Sequence, residues 1–115
     1  MGDIHERLAQ LLGEEFSPHL SEEPALYHDG LAAKLKNGTT LSVIYPLAGE
    51  YLFKWETAEG IFRIDTAPCH PGLGKGMSHL HEGDKAVQAD RITDPAAPPE
   101  ENLRRVMGHL LAQQG

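Results

Sequence analysis

At 115 residues the chain is long enough for one hydrophobic core and too short for two, and its 40% hydrophobic and 23% charged residues are those of a globular protein, not a disordered one. Ten Lys and Arg stand against 17 Asp and Glu, a formal net charge of −7, which excludes a uniform basic footprint for nucleic acid and makes any such contact local. A lone cysteine, Cys69, allows no intrachain disulfide. The acid-bearing start MGDIHERLAQ reads as neither a secretory signal nor a membrane anchor, and Glu6 stands where an acylation signal has Ser or Thr. One domain over residues 1–115 with a cytoplasmic address is expected.

In chain order, Ile4, Leu8, Leu11 and Leu12 form one apolar stripe at helical spacing, with Asp3 as N-cap and a stop near Gly13. The following SPHLSEEPALYHDG, broken by Pro18, Pro24 and Gly30, reads as irregular. From Leu31 the period changes to two, giving strands around Leu31 to Leu35, Leu41 to Tyr45, Tyr51 to Trp55 and Phe62 to Ile64. Every connection between them is too short for a parallel crossover, so the strands form an antiparallel meander. Parity favours a three-residue loop over Asn37, Gly38 and Thr39 in the first hairpin, with Gly38 left-handed, Leu35 opposite Leu41 and Ala33 opposite Val43.

The core face is then Leu31, Ala33, Leu35, Leu41, Val43, Tyr45, Tyr51, Phe53, Trp55, Phe62 and Ile64. The opposite face gathers the cations Lys34, Lys36, Lys54 and Arg63 with Ser42 and Asp65. Such a face is either a solvated surface whose lysines blunt an edge or a local anion-binding surface. A last short strand is expected between Ala86 and Ile92, and DPAAPP is a turn and linker. The terminal helix carries Leu103, Val106, Met107, Leu110 and Leu111 at helical spacing, with Pro99 and two Glu suited to its first turn. The fold class is therefore α+β, a four- or five-stranded antiparallel meander with an N-terminal and a C-terminal helix packed on one face.

Between the fourth strand and the last lies DTAPCHPGLGKGMSHLHEGD, which holds Asp65, Cys69, His70, His79 and His81 in a loop. Its GLGKGMS lacks the spacing of a phosphate-binding P-loop, and Cys69 beside His70 points away from it on an extended chain. On an extended segment His79 and His81 face the same way and can share a metal or a phosphate, with His70 and Asp65 as further groups. The spacing matches no zinc signature, and a cupin barrel is rejected because the downstream Glu is missing. The plain alternative is a set of loop hydrogen-bonders on a polar surface.

The run from LAAKLKNGTTL through YLFKWETAEGIFRIDTAPCHP to SHLHEGDKAVQADRITDPAAPPEENLRRVM resembles the TumE family, toxin components of prokaryotic toxin–antitoxin pairs, over about residues 27–111. Arg63, Asp65, Ala67, Pro68, His70, His79 and His81 match the family pattern. Thr66 stands where the pattern has Asn, Cys69 and Ser78 where it has His, and Met77 where it has Pro. The resemblance implies a toxin partnered with an antitoxin from a neighbouring gene and acting on RNA.

On these residues a ribonuclease-type reading has Lys54 and Arg63 hold a phosphate, two of His70, His79 and His81 act as general base and acid, and Asp65 orient an imidazole. The alternatives are a non-enzymatic binding module and a metal-dependent hydrolase in which His70, His79 and His81, with Asp65, hold zinc or manganese. No cofactor is firmly implied, no membrane contact is expected, and a homo-oligomer is left open.

Overall fold

The computed structural model describes residues 3–66, 79–82 and 88–112, and at positions 79, 81, 82, 88 and 89 the backbone alone. Helix α1 (Ile4–Glu15) begins where the Asp3 carboxylate accepts from the His5 N–H at 3.2 Å. The helix runs through Gly13 instead of stopping there. The Phe16 N–H closes the last turn on Leu12 O at 3.0 Å, and Phe16 packs against the core. One turn of 3₁₀ helix (Ser17–His19) follows, with Pro18 in its first turn.

The sheet has seven strands in sequential antiparallel order: β1 (Ala25–Tyr27), β2 (Gly30–Lys34), β3 (Thr40–Leu47), β4 (Glu50–Thr57), β5 (Gly60–Asp65), β6 (His79–Glu82) and β7 (Gln88–Ala89). Five of these are the expected strands, and β1 and β6 are additional. Strand β1 lies in the stretch read as irregular. Its three residues are all exposed, so it has no buried alternation for a period to reveal. Strand β6 lies within the stretch read as loop. Leu80 sits opposite Ile64 and packs against the core, and that pairing draws its polar neighbours into the sheet.

The first hairpin keeps the expected parity but not the expected register. Ala33 pairs with Leu41 and Leu31 with Val43, two residues away from the predicted alignment. The Leu35 N–H donates to Thr39 O at 2.9 Å and the Gly38 N–H to Leu35 O at 3.0 Å, leaving Lys36, Asn37 and Gly38 as the loop. The Asn37 side chain accepts from the Thr39 N–H at 2.9 Å, which fixes Thr39 at the strand end. Gly38 has φ 91°, the left-handed conformation such a loop needs at its third position.

Every expected core-face residue is buried except Phe62, which is partly so; it stacks on Trp55 with ring centroids 5.8 Å apart. Helix α2 (Pro99–Ala112) covers this face with Leu103, Val106, Met107 and Leu110, and α1 covers it with Leu8, Leu11 and Leu12. The two helices are joined outside the core by a fork of Arg104 on Glu15 at 3.0 and 2.7 Å.

Polar side chains buried between the layers answer specific backbone needs. A register shift between Ile44 and Leu47 interrupts the β3–β4 ladder, and there the Tyr45 N–H donates to Nε2 of His5 at 2.8 Å. Because Nε2 accepts, the ring proton sits on Nδ1, which lies 3.6 Å from the Asp3 carboxylate. Asn102, fully buried, donates to Tyr45 Oη at 3.0 Å and to Asp94 O at 2.9 Å, and accepts from the Asp94 N–H at 2.9 Å. A second cluster joins Tyr51 Oη to Thr93 Oγ1 at 2.6 Å, with Asp90 accepting from the Thr93 hydroxyl and from the amides of Ile92 and Thr93. These bonds tether the chain between β7 and α2 to the aromatic core.

Candidate functional site

Strand register builds the outer face of the sheet in rows. Ser42 lies opposite Lys54, Lys54 opposite Arg63, and Arg63 opposite His81, so one row crosses four strands. The adjacent row runs from Ile44 through Leu52 and Asp65 to His79. Directly opposed residues on an antiparallel pair share a face, so five of the six predicted site residues, Lys54, Arg63, Asp65, His79 and His81, occupy neighbouring positions of one surface. The sixth, His70, lies outside the described residues, as do Cys69, Met77 and Ser78.

Within this patch Arg63 and Asp65, two apart on β5, form an ion pair at 3.1 Å from Nε to Oδ2. The Arg63 side chain is half exposed, while Asp65 is 7% exposed on a face expected to be open. Using Nε for the carboxylate fixes the guanidinium plane and leaves the two terminal nitrogens of the fork for another acceptor. Lys54 is exposed and makes no ion pair with any described residue.

The expected face of four cations is narrower than the sequence suggested. Lys36 stands in the hairpin loop, because the register moved two residues. Lys34 meets Glu22 at 3.3 Å, both being well exposed. Lys54 and Arg63 are the cations that remain in adjacent strand positions near the histidines. Ser42 heads their row; its outward parity was legible, but only the register shows that it adjoins Lys54.

Among the described residues no group of three or more His, Cys, Asp or Glu side chains is arranged to hold a metal ion. The proposed set of His70, His79, His81 and Asp65 includes side chains outside that description. No helix among the described residues is long and apolar enough to cross a membrane.

A family model described as toxin TumE matches residues 11–114. The chain belongs to the TumE toxin family. No curated protein and no solved structure matches it. Membership makes the chain a toxin component, with an antitoxin as its partner in general terms, and the TumE match spans every residue of the outer-face rows. Within the TumE pattern one departure has a structural account. The Thr66 hydroxyl accepts from the Tyr51 N–H at 3.0 Å and the Thr66 N–H donates to Tyr51 O at 3.2 Å. Thr66 thereby extends the β4–β5 ladder just past Asp65.

Proposed function

We propose that this TumE-family toxin cleaves phosphodiester bonds in RNA by metal-free general acid–base catalysis on the outer sheet face. Lys54 and Arg63 hold the phosphate and neutralise the charge that builds on it. Two of His70, His79 and His81 serve as base and acid, and Asp65 holds Arg63 and orients an imidazole. The base takes the proton of the ribose 2′-hydroxyl as its oxygen bonds to phosphorus. The bond to the 5′-oxygen breaks as the acid delivers a proton there.

The observation that carries this reading is the shared row of Lys54, Arg63 and His81 beside the row of Asp65 and His79. Like charges directly opposite on neighbouring strands destabilise a sheet; Asp65 offsets Arg63, and a bound anion would offset Lys54. Histidine, with an unperturbed pKa of about 6.5, suits both proton transfers near neutral pH.

The test is RNA cleavage by the full chain in which His79 and His81 are both replaced by Ala. Cleavage should disappear with the circular dichroism and melting temperature retained, and the wild-type products should end in 2′,3′-cyclic phosphate. Cleavage that persists in the double variant overturns the reading. Wild-type cleavage abolished by a chelator and restored by zinc or manganese would assign the site to a metal-dependent hydrolase instead.

A further inference from the structure

The edge of the sheet at β1 offers a second surface, on the flank remote from the histidine strand. The edge strand is interrupted before β1. Leu20 bridges Leu35 and the Ser21 N–H donates to Lys34 O at 2.8 Å, while Ala25 pairs with Ala32. Glu22, Glu23 and Pro24 therefore bulge out opposite Ala33 alone. Beneath this bulge lies a hollow of about 240 Å³ lined by Gly13 and Ser17 on one side and by Leu20, Glu22, Glu23 and Pro24 on the other.

Three features of this edge point to one kind of occupant. Leu26 and Tyr27, the two residues after Ala25 on the free edge, are 50% and 62% exposed. Residues 21–29 hold Glu22, Glu23 and Asp29 and neither Lys nor Arg, and the cation that meets them, Lys34 on Glu22 at 3.3 Å, forms an exposed pair that a ligand's cation can displace. The hollow also adjoins the last turn of α1, which carries no basic side chain to meet its carbonyl end. Gly13 fits the same picture. It sits inside the helix, where glycine costs about 1 kcal/mol relative to Ala, yet a Cβ there would meet nothing within 4 Å. Its missing side chain keeps the hollow open.

We infer that the β1 edge binds an extended, basic segment of a protein partner, which adds its backbone alongside Leu26 and inserts a Lys or Arg between Glu22, Glu23 and the α1 C-terminus. In a hairpin joined by the two residues His28 and Asp29, Tyr27 and Gly30 form the hydrogen-bonded pair, so the Leu26 N–H and C=O point to the free edge. Apolar side chains of the segment then cover Leu26 and Tyr27. A second copy of this chain is a poor occupant, because antiparallel two-fold pairing about Leu26 would set Glu23 of each copy against Asp29 of the other. The surface is independent of the phosphodiesterase reading.

The experiment titrates the isotopically labelled full chain with two blocked heptapeptides, one alternating Lys and Val and the other Glu and Val, and follows backbone amide shifts. The Lys peptide should perturb the amides of Gly13, residues 21–23 and residues 25–27 selectively, and the Glu peptide should not. The charge reversal E22K/E23K should weaken binding by about tenfold or more. Gly13→Gln, which fills the hollow, should also weaken it while the melting temperature holds or rises. Equal binding of the two peptides, perturbations elsewhere, no binding at millimolar peptide, or unchanged affinity in both variants overturns the inference. So does a dimer seen by light scattering that Leu26→Ser with Tyr27→Ser dissolves, since a second copy would then hold the edge.

Discussion

Replacing Asn102 with Ala is expected to cost about 3 kcal/mol of folding stability, because the side chain makes three hydrogen bonds whose net worth is about 1 kcal/mol each. The figure is a lower bound for a residue with no exposure, since the Tyr45 hydroxyl, also fully buried, loses its amide donor and no water can reach it. Losing the two bonds to Asp94 also unpins the chain before α2 from the helix it precedes. For a domain of this size the loss corresponds to a fall in melting temperature of about 12 °C. Thermal and urea unfolding followed by far-ultraviolet circular dichroism read the effect. A double-mutant cycle with Tyr45→Phe isolates the 3.0 Å bond, for which a coupling of about 1 kcal/mol is expected. A loss below about 1 kcal/mol for Asn102→Ala would show that the network adds little to stability and that packing holds the segment, whereas zero coupling would remove the Asn102–Tyr45 bond alone from the account.

Three further outcomes follow from the same geometry. Burial holds the Tyr45 hydroxyl above the ordinary phenol value, the Asn102 hydrogen bond opposing the rise and the Glu100 carboxylate adding to it. The unfolded chain therefore loses this proton first, so the contribution is intact below about pH 10 and disappears as pH rises through the folded value; urea midpoints should fall more steeply above that pH in the wild type than in Tyr45→Phe. Gly30→Ala should destabilise by about 1–3 kcal/mol, as a Cβ there would lie 2.7 Å from Val43 O, a backbone atom that cannot swing aside; amide exchange at Ala25 and Tyr27, whose N–H groups face β2, should quicken with it. Lys54→Ala should weaken RNA binding uniformly across sequences and reduce the dependence of log affinity on log salt by about 0.7, which fluorescence anisotropy at several salt concentrations measures, and an unchanged slope would remove Lys54 from the phosphate site.

The meander and its core face were readable because alternation over Leu31 to Ile64 leaves one choice of inward set. The register of the first hairpin was not, since loops starting at Lys36 or at Asn37 differ by a shift of two that preserves parity. The choice between them is made by local bonds, Leu35 to Thr39 and Thr39 to the Asn37 side chain. His5 lies at helical spacing with the buried Leu8 and Leu12, and Asn102 with the buried Val106 and Leu110. Their places on apolar faces were legible, but their partners, 40 and 57 residues away, were not. For the candidate site, residue types and parity pointed to Lys54, Arg63 and Asp65, whereas the pairing of β6 with β5 brought the positions of His79 and His81 beside them.

That pairing also bears on the mismatch between a net charge of −7 and the proposed RNA substrate. Glu6, Glu14, Glu15 and Glu101 are exposed on the two helices, which pack on the core face, whereas Lys54 and Arg63 stand on the opposite face. The smallest dimension of the fold, 21 Å, exceeds two screening lengths at physiological salt, each about 8 Å. Helix acids therefore repel a polyanion at the outer sheet face only weakly, while the cations there act at contact distance. With two cations in these rows among the described residues, Arg63 held by Asp65 and Lys54 two residues from exposed Glu56 on the same face, that face would grip a phosphate chain lightly and supply little affinity of its own. Its contribution lies in orientation. In the proposed reaction Arg63, fixed by Asp65, and Lys54 across the strand would position one phosphate beside two histidine positions, which is the requirement for proton transfer rather than for tight binding.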